Sequence, residues 1–199
     1  IISPHDNNTL YAGLNELFKS TDRGDTWRSL GDLTTGTDRR TLRIMEQEPD
    51  SFVLSLDDGI PYWPTLTAVA ESEFTPGILY VGTDDGQVQV STDDGTTWTN
   101  VTARLPGAPA MMWVNTIHPS KTVEGRVYVA ANDYRNDDYG NYAWRSDDDG
   151  RTWTSVVGDL PAERVVRVVR DDARNPDVLW MATEFGAFWS WNGGANWRP

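Results

Sequence analysis

Four short stretches of this chain share one pattern: STDRGDTW at 20–27, STDDGTTW at 91–98, SDDDGRTW at 146–153 and SWNGGANW at 190–197. In register they read S-x-D-x-G-x-T-W, with drift in the last copy. A repeat constrains a fold more tightly than composition does, because every copy must occupy an equivalent place. Ahead of each copy lies a β-forming tetrad: LYAG at 10–13, LYVG at 79–82, VYVA at 127–130 and LWMA at 179–182. Ahead of that comes a turn containing Pro or Gly. Further upstream are the apolar runs TAVAES, WVNTIHP and VVRVVRD, with IISP at residues 1–4 as a shortened counterpart.

Each unit therefore reads strand, turn, strand, short turn, strand, Asp-containing turn, strand. In the second unit the strands are expected at 66–72, 78–83, 87–92 and 97–101, short and bounded by Gly, Pro and Asp-Gly. Four-stranded meanders repeating at about 40–50 residues are propeller blades. The expected class is all-β, a β-propeller of four-stranded antiparallel blades. About four are present, at 1–30, 65–101, 112–156 and 165–199, with 31–64 as a long connection. Only TLRIMEQE at 41–48 offers a helical turn or two.

These units resemble the Asp-box, or BNR, repeats of β-propellers. Such repeats occur in sialidases, xyloglucan-cleaving glycoside hydrolases, sortilin-type receptors and large bacterial proteins labelled glycosyl hydrolase-like or photosystem II stability factor-like. The resemblance covers 65–199, with 1–30 as one further blade; 31–64 matches poorly. It is specific for fold and nearly silent on function. It implies that ligands meet the rim away from the boxes.

On the box rim the chemistry expected is that of a turn. Asp22, Asp93 and Asp148 can accept hydrogen bonds from N–H groups of their own turns. Gly24, Gly95 and Gly150 supply positive φ. Ser20, Ser91 and Ser146 are expected to reach across to Thr26, Thr97 and Thr152. Trp27, Trp98, Trp153 and Trp197 are expected to fold beneath as apolar plugs. The last copy keeps Ser190 and Gly194 but has Asn192 for Asp and Asn196 for Thr, which preserves hydrogen bonding while losing charge. The spacing is not that of an EF-type calcium loop. No metal and no cofactor are expected.

On the opposite rim the candidate ligand-binding residues are Asp84 and Asp85, in an Asp-Asp-Gly turn read as type I′, and Glu184 of Glu-Phe-Gly. The 132–141 segment adds Asp133, Tyr134, Arg135, Asp137 and Asp138 in a hairpin longer than its counterparts, and loops longer than a turn requires are often functional. The connection SLDDGIPYWPTL adds Asp57, Asp58, Tyr62 and Trp63, the last two a possible stacking platform or packing against the first blade. Trp113, Arg167 and Arg170 fall on innermost strands.

With 17 basic and 30 acidic residues the formal charge is −13, which disfavours nucleic acid and anionic membrane surfaces as partners. There is no cysteine, so neither disulfides nor thiolate sites arise, and two histidines are too few for a familiar zinc site. No apolar run is long enough to span a membrane. The chain opens Ile-Ile-Ser without a signal-like segment, and reads as a piece or processed product of a secreted, periplasmic or extracellular bacterial protein. Two functions fit. One is an interaction module binding glycan or protein, completed by remaining blades of a longer chain or by a second copy. The alternative is a glycoside hydrolase, which needs a carboxylate pair or the tyrosine nucleophile and arginine cluster of sialidases; no pair stands out by spacing.

Overall fold

The computed structural model describes residues 1–43, 46–49 and 63–199. Among these residues fourteen strands form four antiparallel sheets in chain order. Sheet one holds β1 (Leu10–Gly13), β2 (Glu16–Ser20) and β3 (Arg28–Asp32), with Ile2 bridging to Leu10 where an innermost strand belongs. Sheet two holds β4 (Leu66–Glu71), β5 (Leu79–Thr83), β6 (Val88–Ser91) and β7 (Thr99–Asn100). Sheet three holds β8 (Trp113–Pro119), β9 (Val127–Asp133), β10 (Asp138–Ser146) and β11 (Thr154–Ser155). Sheet four holds β12 (Val166–Asp171), β13 (Leu179–Thr183) and β14 (Gly186–Ser190), and a bridge from Trp189 to Arg198 stands for its outer strand.

The core lies between the sheets. Because strand side chains alternate in direction, sheets two and three each have two apolar faces and pack on a neighbour with both. Leu79 and Val81 pack back on Tyr11, Leu17 and Leu30 of sheet one. Tyr80, Val88 and Val90, from the other face, pack forward on Val114, Val129 and Trp144 of sheet three. Tyr128, Ala130 and Ala143 then meet Val169, Met181 and Phe188 of sheet four. Strand packing thus runs one to two, two to three and three to four. Gly82 shows how close the approach is: a Cβ there would lie 2.3 Å from Val114 Cγ1.

One expectation needs correction: the helical turn falls earlier than read, as a 3₁₀ turn at Arg39–Thr41, and no α-helix occurs among the described residues. The extended 132–141 hairpin is strand nearly to its tip, where Tyr134–Asn136 form a 3₁₀ turn closed by Asp137 in left-handed conformation.

Candidate functional site

The two rims are built differently. On the box rim each turn closes on itself. The serine Oγ donates to the aspartate Oδ1 at 2.8 Å in the first three copies and accepts from the glycine N–H at 2.8, 2.9 and 2.8 Å. The threonine N–H donates to Oδ1 and its hydroxyl to Oδ2. Serine therefore bonds the aspartate, and the aspartate alone holds the threonine, where the sequence suggested a direct serine–threonine bond. A short hydroxyl cannot both cap the glycine amide and span the turn.

The residue before each glycine is also left-handed (Arg23, Asp94, Asp149 and Gly193), and its N–H donates to the carbonyl of the first turn of its own sheet, on Asn8, Gly77, Gly125 and Asp177. In the fourth copy Asn192 Oδ1 accepts from Ser190 Oγ and Asn196 N–H, while Asn192 Nδ2 donates to Asn196 Oδ1 at 2.9 Å. The direction of one bond reverses and the geometry survives. Trp153 and Trp197 are buried, whereas Trp27 is 44 % exposed and is not a plug. The turn's own hydrogen bonds, those from Thr26 first, hold the Asp22 carboxyl down at about 2, and Thr97 acts in the same direction on Asp93.

On the opposite rim the carboxylates reach far from themselves. Asp84 accepts from Thr65 N–H at 2.7 Å and Thr65 Oγ1 at 2.9 Å, and burial raises its pKa. Asp85 is fully buried and accepts from Thr35 N–H at 2.6 Å, Thr35 Oγ1 at 2.7 Å and Thr83 Oγ1 at 2.5 Å. The two acids tie the β5–β6 turn to the connection from sheet one, and Asp85 is not presented to a ligand. Nor is the turn type I′: only Gly86 has positive φ, so this is a three-residue loop closed by a left-handed glycine. Asp133, buried and raised by that burial, accepts from Asn136; Asp138 accepts from Gly140 N–H and from Tyr142 Oη at 2.6 Å.

Aromatic rings and arginines remain, and they pair. Arg39 lies 6.0 Å from the centroid of Trp63, Arg135 4.2 Å from Trp113, Arg167 5.2 Å from Tyr134 and Arg164 6.0 Å from Phe185. Arg167 also pairs with Glu184. Between the first two pairs lies a cleft lined by Arg39, Leu42, Arg43, Trp63, Asp84, Met111, Arg135 and Asn136. The structure thus brings Trp63, Asp84 and Arg135 together, while Tyr134 and Glu184 are joined through Arg167 outside the cleft lining. Asp137 sits at the hairpin tip, away from the cleft lining. Tyr62, Asp57 and Asp58 lie outside the described residues.

Two residues, Thr67 and Asn115, escaped the sequence reading, and a third, Arg167, was placed on an innermost strand without its bulge. β4, β8 and β12 each carry a register shift at the same place, leaving Thr67, Asn115 and Arg167 as the extra residue. Such bulges re-aim a side chain. Thr67 Oγ1 donates to Val114 O at 2.7 Å and Asn115 Nδ2 to Val166 O at 2.8 Å, each reaching the next sheet. Arg167, in the last sheet, turns back to Tyr134 and Glu184. No residue type marks a bulge in sequence. The only available signal was the shared position of a polar residue two or three places into each apolar run.

No protein-family model matches the chain, and no curated protein does. Solved structures do. An ancestral GH74 enzyme is 20 % identical over 99 % of this chain and 23 % of its own, with a TM-score of 0.64. The GH74 xyloglucanase from Xanthomonas campestris is 20 % identical over 100 % and 29 %, at 0.66, and the GH74 enzyme from Niastella koreensis 18 % over 99 % and 28 %, also at 0.66. At such identity the likeness shows the fold: the four antiparallel sheets are blades of a β-propeller. The chain spans between 23 % and 29 % of the length of these structures.

Proposed function

We propose that this chain supplies Asp-box blades of a propeller that binds glycan or protein on the rim opposite the boxes, at the cleft between Trp63 and Arg135. One observation carries the reading. Four of the acids that the sequence placed on this rim (Asp84, Asp85, Asp133 and Asp138) accept hydrogen bonds from inside the protein, and of these four Asp84 alone lines the cleft, beside Trp63 and the guanidinium groups of Arg39, Arg43 and Arg135. Hydrolysis by the commonest route uses two carboxylates facing the scissile bond, and a single one, Asp84, lines this cleft. Recognition requires flat apolar faces and fixed donors, which Trp63 and Arg135 supply.

A glycoside hydrolase remains the second reading, because Asp84 lines the cleft with a pKa raised by burial and the fold is that of GH74 enzymes. Titration calorimetry with xyloglucan and other soluble polysaccharides, run beside an assay for released reducing ends, separates the two. Binding without release is expected, weakened about tenfold by Trp63→Ala. Release of reducing ends that Asp84→Asn abolishes would make the protein a hydrolase.

A further inference from the structure

Each junction between consecutive sheets seats a tyrosine at the same register position. Tyr11, Tyr80 and Tyr128 lie opposite Lys19, Val90 and Arg145, each one place before a box serine, and pack with the sheet that follows. Between sheets two and three, Val90 carries no charge, and Tyr80 Oη donates to Asp149 Oδ1 of the next box at 3.3 Å. Between sheets one and two, Lys19 stands in the place of Val90. Its Nζ donates to both oxygens of Asp94, at 2.6 and 2.7 Å, and Arg28 adds a bond to Oδ2 at 3.2 Å. Tyr11 Oη is left without a hydrogen-bond partner, although Tyr11 is only 3 % exposed.

The innermost strands differ in the same region. Glu71, Pro119 and Asp171 are equivalent, lying across the ladder from Leu79, Val127 and Leu179. Asp171 is fully engaged by His118, Ser120 and Thr122. Glu71 accepts at Oε1 from Gly77 N–H at 2.9 Å, and its Oε2 has no partner at 6 % exposure of the residue. A buried carboxylate oxygen without a partner is costly. Among the described residues, the junction between sheets one and two alone combines an unpartnered phenol with an unpartnered carboxylate oxygen. The two groups are neighbours: burial first, then the Glu71 and Asp94 carboxylates, push the Tyr11 phenol above its ordinary range.

Both residues line a cleft of about 320 Å³ on the box rim, with His5, Asp6, Lys19 and Asp94. The Lys19 ammonium is engaged by Asp94, and His5 Nε2 donates to Ser72 O at 2.8 Å, so a neutral His5 ring can only accept at Nδ1. Three carboxylates face one ammonium here, in a chain of charge −13, and such a field draws cations. A hard metal ion needs several oxygens converging on one point. Among the described residues no three metal-ligating side chains do so. An ammonium is compact and brings three donors. The last torsion of a glutamate is soft, so Glu71 Oε2 can turn to meet a group entering from the cleft.

We propose that this cleft binds a primary ammonium group, held by Glu71 Oε2 and Tyr11 Oη. The group belongs either to a small amine or to a lysine side chain of a peptide. The site is separate from the cleft on the opposite rim and does not depend on what binds there.

Amide resonances of the whole chain are followed during titration with propylamine hydrochloride and, in a second arm, with acetyl-Gly-Lys-Gly-amide. The Gly77 amide, which donates to Glu71, is the reporter. Saturable movement at low millimolar concentration, on the order of 1–10 mM, is expected. A response to both probes assigns the site to lysine side chains, and a response to propylamine alone to a small amine. Tyr11→Phe should weaken binding about tenfold while Tm holds or rises, because that hydroxyl has no partner to lose. A hydroxyl with a structural role would lower Tm instead. Glu71→Gln should weaken binding further, its amide oxygen still able to accept from Gly77. Where Glu71→Gln impairs folding, Tyr11→Phe carries the test. No saturable movement up to about 50 mM overturns the proposal. So does an equal response to tetramethylammonium, which has no N–H, to sodium chloride or to glycerol, and so does binding that both variants leave unchanged.

Discussion

On the box rim Asp22, Asp93 and Asp148 collect their hydrogen bonds from residues no more than four places away, whereas on the opposite rim Asp84 and Asp85 collect theirs from Thr65 and Thr35, 19 and 50 places away. Local closure makes a turn that can be copied from blade to blade without regard to what surrounds it. Distant closure makes a turn that works in one blade only. The box rim accordingly repeats, and the other rim is individual, with different pairs of aromatic and guanidinium groups along it. Individuality is what a binding surface needs.

The comparison can be broken most readily at Asp85. Asp85→Ala removes a buried acceptor from three donors and should cost about 3 kcal/mol in urea unfolding, with Asp85→Asn costing less. A cost no larger than that of a surface substitution would mean that the distant ties do not hold this rim. Ser91→Ala should come next, at about 1–2 kcal/mol, because it leaves the buried Gly95 N–H unpaired. Ser190→Ala should match it, since Ser190 makes the same bond to Gly194.

A smaller effect concerns pH. Asp22 is held down to about 2 from 3.8 by groups of its own turn, so its contribution is complete above its unfolded value and is lost as pH falls through the folded one. Asp93 and Asp148 are shifted in the same direction; Asn192 has no carboxyl. On acidification from pH 4 in an Asp159→Asn background, which removes the carboxylate that Asn196 Nδ2 reaches, the amide resonances of Thr26, Thr97 and Thr152 should move while that of Asn196 stays. Four turns moving together would show that the shift comes from global opening rather than from the carboxylates. The smallest effect is expected for Asn192→Asp with Asn196→Thr, which rebuilds the common box in the fourth copy. It should change stability by no more than about 0.5 kcal/mol.

This contrast also explains what was legible in the sequence. Strands, blade order and the box turns could be read because each is encoded within a few residues: alternation for the strands, and Ser, Asp and Gly at fixed offsets for the turns. The burial of Trp27 could not be read, since the sheet in front decides it. The I′ reading of Asp84-Asp85-Gly86 failed for the same reason, because the two acids are there to be reached by Thr65 and Thr35 from elsewhere in the chain. Nor could Arg135 on Trp113 or Arg167 on Tyr134 be foreseen, as the first pair meets across the β8–β9 ladder of sheet three and the second only once sheets three and four stack. Asp84 and Arg135 were selected for their chemistry; the cleft that joins them to Trp63 and Met111 is a product of packing.

The fourth turn carries a consequence for the ageing of the protein. Asn192 is followed by Gly193, the pairing in which a backbone nitrogen most readily attacks the preceding side-chain amide and expels ammonia. Here that nitrogen donates to Asp177 O at 2.8 Å, and both polar atoms of the Asn192 amide are engaged. The fold therefore holds the nucleophile and its target apart. Where the turn loosens, on storage or heating, the reaction can run, leaving either an aspartate, as in the other three turns, or a backbone lengthened by one carbon that no longer fits. The chemical history of a sample is then written at one peptide, and mapping the fragment that contains Asn192 reads how long the last blade has spent open.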